Sequence, residues 1–149
     1  MRGLHILQYN AGKSAGRQQI LLANPKMQDY DVITLQEPSY NPQTGGTHCS
    51  RGSGFWLVYE TRGRLSRVAL LFNKRLSIDD WCVEQVNNCI QMAQVQTSQS
   101  LVQLINVYVM ADGGRVTLGN DSGLRKVSEL FNEGLECVLL GDFNLHHPS

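Results

Sequence analysis

What this sequence lacks narrows its function before any motif is read. No apolar run approaches the ~20 residues that a membrane helix needs: Val68 to Phe72 is typical of the longest ones, and the opening Met1 to Gln8 carries no stretch long enough for a signal peptide. No CxxC pair occurs among Cys49, Cys82, Cys89 and Cys137, and no histidine stands at zinc-finger spacing from them. Free thiols in a reducing, intracellular compartment, cytoplasmic or nuclear, are therefore expected, with no membrane contact and no obligatory protein partner in evidence. A net charge is also missing. Acids and bases balance at 13 each, so no global field draws the protein to a polyanion and any nucleic-acid contact must be local. The clearest basic stretch, Arg62, Arg64 and Arg67, with Arg2, Lys13 and Arg17, is explained well enough as a solvated loop and strand edge.

Repeats and low-complexity linkers are absent too, which leaves one domain over residues 1–149. With 42% hydrophobic and 17% charged residues, the chain can bury a core. Gly12-Lys13-Ser14 has the look of a P-loop ending, yet the glycine required five positions earlier is Leu7, inside an apolar strand. A nucleotide-cradling loop is excluded.

Among the features present, alternation and β-branched residues predict strands at Leu4 to Tyr9, Asp31 to Gln36, Phe55 to Glu60, Arg67 to Phe72, Ile90 to Gln96 and Leu101 to Met110. Turn-like residues 61–64 join the third and fourth as an antiparallel hairpin, and 97–100 join the last two. A helix capped by Ser14 should stop or kink at Pro25. A second, capped by Asp121 or Ser122, has Leu124, Val127, Leu130 and Phe131 on one face and Gly134 as its stop. Cys137 to Leu140 reads as a strand buried on both faces. Mixed α and β order with hairpins favours packed sheets covered by helices.

Polar residues follow these apolar strands directly: Asn10, Glu37, Tyr108, then Asp142 and Asn144. Read singly, each is an ordinary turn, cap or surface residue. Read jointly, they form an oxygen-rich set that suits a hard cation such as Mg2+, with Mn2+ as a substitute, and Mg2+ commonly completes its shell with substrate phosphate.

Leu7-Gln8-Tyr9-Asn10, Leu35-Gln36-Glu37-Pro38, Ile105-Asn106-Val107-Tyr108 and Leu140-Gly141-Asp142-Phe143-Asn144 resemble, in order and spacing, the motifs of the endonuclease/exonuclease/phosphatase superfamily. The LQEP form and the run GDFNLHHP are most similar to endonucleases of non-LTR retrotransposons. The resemblance implies an α/β (α+β) fold, a four-layer αββα sandwich of two mixed sheets, incomplete at its C-terminal end. It implies a Mg2+-dependent endonuclease that nicks DNA. Glu37 would be the metal carboxylate with Asn10 beside it, Tyr108 and Asn144 would contact phosphate, and Asp142 would orient or deprotonate water. Lys13, His146 and His147 would flank the DNA. The family's late Ser-Asp-His motif is not among the 149 residues, so the chain by itself is expected to be inactive. The alternatives are a non-catalytic remnant of such a domain and a phosphatase of the same superfamily.

Overall fold

The computed structural model describes residues 3–62, 65–112, 115–117 and 123–144. The chain enters as β1 (Ile6–Asn10), α1 (Ala15–Ala23) and β2 (Val32–Gln36), then β3 (Phe55–Val58) and β4 (Val68–Asn73). It continues through β5 (Trp81–Asn87), β6 (Ile90–Gln96), β7 (Leu101–Tyr108), β8 (Met110–Asp112), β9 (Arg115–Thr117), α2 (Gly123–Leu130) and β10 (Glu136–Asp142).

Helix α1 starts where the sequence says it should. The Ser14 hydroxyl accepts from the Arg17 amide at 3.2 Å, and the Asn24 side chain accepts from Lys26 to open a single 3-10 turn over Pro25–Asp29, since Pro25 has no amide with which to continue the α-helix. Its Gln18 and Leu22, four apart, face inward.

Two mixed four-stranded sheets form the body, in the orders β1-β2-β4-β3 and β10-β7-β6-β5. In each, one parallel pair is present: β1 with β2 and β10 with β7. The alternation of the strands sorts their side chains into three apolar layers. Leu22 and Met27 pack on Ile33, Leu35, Phe55, Ala69 and Leu71 on the outer face of the first sheet. Val32, Leu70 and Phe72 meet Ala93, Val95 and Leu104 between the sheets. Val127 of α2 packs on Ile90, Ile105 and Val107 on the outer face of the second. The order is therefore helix, sheet, sheet, helix, as expected. Each large apolar side chain buried here contributes roughly 1.5–3 kcal/mol. Phe72 stacks on Trp81 with centroids 4.1 Å apart, which ties the start of β5 to the first sheet. At the same end, Arg75 donates to Asp31 Oδ1 at 2.9 and 2.6 Å, while the His5 amide donates to Asp31 Oδ2 at 2.8 Å.

Several expectations are corrected. Strand β5 was not anticipated: Trp-Cys-Val-Glu-Gln-Val-Asn alternates between exposed and half-buried positions, and so lacks an apolar run. The single strand expected over Leu101 to Met110 stops at Tyr108, and Met110–Asp112 pairs instead with β9. The strand over Cys137 to Leu140 exists but is only half-buried, because β10 lies at the edge of its sheet. Phe131, expected on the apolar face of α2, falls just past its end and is 45% exposed. The proposed caps Asp121 and Ser122 lie outside the described residues, as does Arg64. No helix among the described residues is long and apolar enough to cross a membrane.

Candidate active site

Both parallel pairs end at the same side of the sandwich. In the first sheet Asn10 pairs with Gln36, and Glu37 is the next residue; in the second, Asp142 pairs with Tyr108. The two pairs are joined across the sheets. The Gln8 carboxamide donates to the Gly141 carbonyl at 2.7 Å, and the Asn10 carboxamide donates to Asp142 Oδ2 at 2.6 Å. Asn10 Oδ1 in turn accepts from the Gly12 amide at 2.8 Å, which fixes the orientation of the group. The other Asp142 oxygen accepts from the Asn144 amide at 3.1 Å, and the Asn144 side chain donates to the Val109 carbonyl at 2.8 Å. The second amide hydrogen of Asn144 makes no bond among the described residues.

Burial pushes the Tyr108 phenol up to about 12, helped by a hydrogen bond to Glu37 and by the negative charges of Glu37 and Asp142, with Arg67 opposing. Tyr108 is thus a neutral donor at ordinary pH. The Asn10 bond to Asp142 and the pairing of Asp142 with Tyr108 bring the polar ends of the two sheets together. The Lys13 ammonium, 56% exposed, lies 3.8 Å from Glu37 Oε1, and the Lys13 amide donates to the Glu37 carbonyl at 2.8 Å.

Backbone strain marks the same place. Among the described residues, the non-glycine positions with left-handed φ are Lys13 (59°), Glu37 (47°) and Asn144 (44°). Each costs on the order of 1–2 kcal/mol, and such costs concentrate at functional sites.

Asn10, Glu37, Tyr108, Asp142, Asn144 and Lys13 are therefore gathered at one end of the sheets. His146 and His147 lie outside the described residues. Arg67 is an addition. Although it belongs to the basic stretch expected to be solvated, it is half-buried, its carbonyl accepts from the Glu37 amide at 2.8 Å, and its charge opposes the upward shift of Tyr108. No signal in the sequence marks it; the antiparallel register, with Gln36 opposite Val68, puts residues 37 and 67 side by side.

The set fits a hard divalent cation. Its donors are the Glu37 and Asp142 carboxylates and the Asn10 amide oxygen, and a Mg2+ held with waters and phosphate needs only one or two protein carboxylates. A cationic group, Lys13, already sits against Glu37. No group of three His, Cys, Asp or Glu suited to a metal occurs among the described residues, so the protein-only cage typical of structural zinc is not offered there. All four cysteines are free thiols.

No family model and no curated protein matches the sequence. Solved structures do. The endonuclease domain of TRAS1, a telomere-specific non-LTR retrotransposon, superposes with a TM-score of 0.64 at 14% identity over 96% of this chain and 61% of that one. A humanized D. rerio TDP2 carrying 14 mutations gives 0.66 at 18% identity over 97% and 63%. D. rerio TDP2 complexed with a single strand DNA product gives 0.54 at 18% identity over 97% and 62%. The chain thus spans about three fifths of the length of these structures. Two mixed sheets face to face with a helix on each outer face make this the two-sheet sandwich fold shared with the TRAS1 endonuclease domain and TDP2.

Proposed function

We propose that these residues form the metal-binding and water-orienting part of a Mg2+-dependent endonuclease that nicks DNA, of the kind that primes reverse transcription in non-LTR retrotransposons. The observation that carries this reading is the meeting of the ends of both parallel pairs, where Asn10 of one sheet, beside Glu37, donates to Asp142 of the other.

Glu37, with Asn10 beside it, would hold Mg2+ or Mn2+, and a cation there supplies positive charge to the phosphoryl oxygens. Each Asp142 oxygen accepts one hydrogen bond and keeps a lone pair with which to align a water and take its proton. The neutral Tyr108 hydroxyl and the second amide hydrogen of Asn144 donate to phosphate oxygens as their charge grows. Lys13 and Arg67 add local positive charge in a protein with none overall, and His146 and His147 would line the flanking DNA. The DNA-related names of the structural neighbours support the substrate class. A phosphatase would need the same core residues, but the run Gly141-Asp142-Phe143-Asn144-Leu145-His146-His147-Pro148 favours the nuclease.

The family resemblance implies a Ser-Asp-His motif, which would act together with these residues in an active protein. The test is nicking of supercoiled plasmid in Mg2+ by three proteins: the 149-residue chain, a version extended through an Asp-His motif, and the extended version with Glu37→Ala. We expect nicking by the extended protein, a drop of at least ~100-fold with Glu37→Ala, and little from the short chain, because groups acting as one unit are not additive. Equal activity with and without Glu37 would overturn the metal assignment. Strong nicking by the short chain, abolished by its own Glu37→Ala change, would show that no further motif is needed.

A further inference from the structure

The space between the sheets changes character along the strands. Far from the site it is apolar, with Val32, Leu70, Phe72, Ala93, Val95 and Leu104. One step below the site it becomes a row of carboxamides. Gln36, Asn106 and Gln91 are each 0% exposed, and Gln91 lies directly opposite Asn106 in the ladder. Gln36 Nε2 donates across the gap to Asn106 Oδ1 at 2.7 Å. Asn106 Nδ2 donates back to the carbonyls of Leu35 at 3.3 Å and Ala69 at 3.0 Å. Gln91 Nε2 donates to the Val58 carbonyl at 3.2 Å. Every one of these bonds joins one sheet to the other.

Stability alone does not account for this row. Among the described residues, Gln36 Oε1 and Gln91 Oε1 are buried without a partner, and replacing a buried hydrogen-bonded pair by apolar groups of the same shape is often neutral or stabilising. Hydrogen bonds offer something that apolar packing does not. Hydrophobic contact is non-directional, whereas a hydrogen bond weakens steeply when donor and acceptor slide apart. Glu37 follows Gln36 immediately and Tyr108 lies two residues beyond Asn106, so the distance between Glu37 and Tyr108 is set by how the sheets register. We propose that Gln36, Asn106 and Gln91 are positioning residues, a carboxamide platform that locks the two sheets in the register that brings Glu37 to Tyr108 and Asp142. The platform rests on the nuclease reading for its purpose.

The test is made on the full chain without cation or DNA, by nuclear Overhauser contacts between the Tyr108 ring and the Glu37 side chain, together with thermal melting. The Gln36→Leu, Asn106→Leu double variant should melt no lower than the wild type, yet lose at least about half of the Tyr108 to Glu37 intensity as the directional bonds disappear. Transposing the amides, Gln36→Asn with Asn106→Gln, preserves the combined reach and should restore the contact. Wild-type intensity in the leucine variant overturns the proposal. So does a leucine variant that fails to fold, since the amides would then be structural, and so does a transposed pair as loose as the leucine pair. The readout does not involve catalysis. A protein that never nicks DNA but loosens as described therefore sinks the nuclease reading and keeps the platform, while nicking that depends on Glu37 beside an unmoved contact does the reverse.

Discussion

Gly141 is the residue whose replacement should report most directly on how the second sheet holds Asp142. It lies in β10 opposite Val107 of β7. A Cβ added there would fall well inside contact distance of the Val107 carbonyl oxygen, with the Val107 carbonyl carbon and Cβ both at 3.1 Å. Those are backbone and branch-point atoms that cannot rotate away. Carbon and oxygen in neighbouring strands rest about 3.3–3.6 Å apart, so β10 must retreat by on the order of half an ångström or more. An edge strand can do this without tearing the sheet, but Asp142 moves with it. The Gln8 bond to Gly141 at 2.7 Å and the Asn10 bond to Asp142 at 2.6 Å then stretch toward the weak end of their range. Overpacking costs about 1–3 kcal/mol, two weakened bonds about 1–2, and the stiffer unfolded chain returns about 0.4–1. Gly141→Ala should therefore lose roughly 1–4.5 kcal/mol in urea denaturation, and an active extended protein should lose up to ~100-fold in rate through the misplaced carboxylate. Gly52, with nothing within 4 Å of its added Cβ, is the control, and Gly52→Ala should stay within about 0.5 kcal/mol. A Gly141→Ala protein as stable as the Gly52→Ala protein would refute the reasoning.

Three further outcomes follow from the same geometry. Asp31→Ala removes the acceptor shared by the Arg75 guanidinium and the His5 amide, and should cost roughly 2–3 kcal/mol; a loss under about 0.5 by urea titration would show that the clasp contributes nothing measurable. Glu37→Gly frees a left-handed backbone position and should raise stability by about 0.5–1 kcal/mol while abolishing Glu37-dependent nicking; lowered stability would mean that the strain is not real. Burial lifts the Cys89 thiol to about 11, and burial with Glu37 lifts Tyr108 to about 12. Because the folded state holds these protons more tightly than the unfolded chain, their contribution is complete below the unfolded values, near 8.5 for the thiol and 10 for the phenol, and is lost as pH rises through 11 and 12. Melting temperature should fall progressively above about pH 9, and a flat profile to pH 11 would contradict both burials.

The sequence alone was enough to locate six of the seven strands read from it as whole elements in the two large sheets, the start of α1 at Ser14, and the polar residues that end the parallel pairs. These depend on local facts: a period of two in the side chains, a hydroxyl that caps an amide, a proline that cannot donate. Four short motifs in order pointed to the sandwich fold, because a rigid strand end is a natural place for a polar group. Only the tertiary structure could decide the remainder. Strand β5 has no apolar run of its own and exists because β6 and the Phe72 stack receive it. Cys137 to Leu140, buried by pattern, is half-exposed because β10 ends its sheet. Arg67 is brought to the site by antiparallel register with β2, across a loop that says nothing about its destination. Gln36, Asn106 and Gln91 read as scattered polar residues in apolar strands, and their row is visible only when two sheets are laid face to face. Periodicity reports which way a side chain points relative to its own strand; it carries no information about what the opposing sheet places there, since that depends on packing among residues 33 to 71 positions apart.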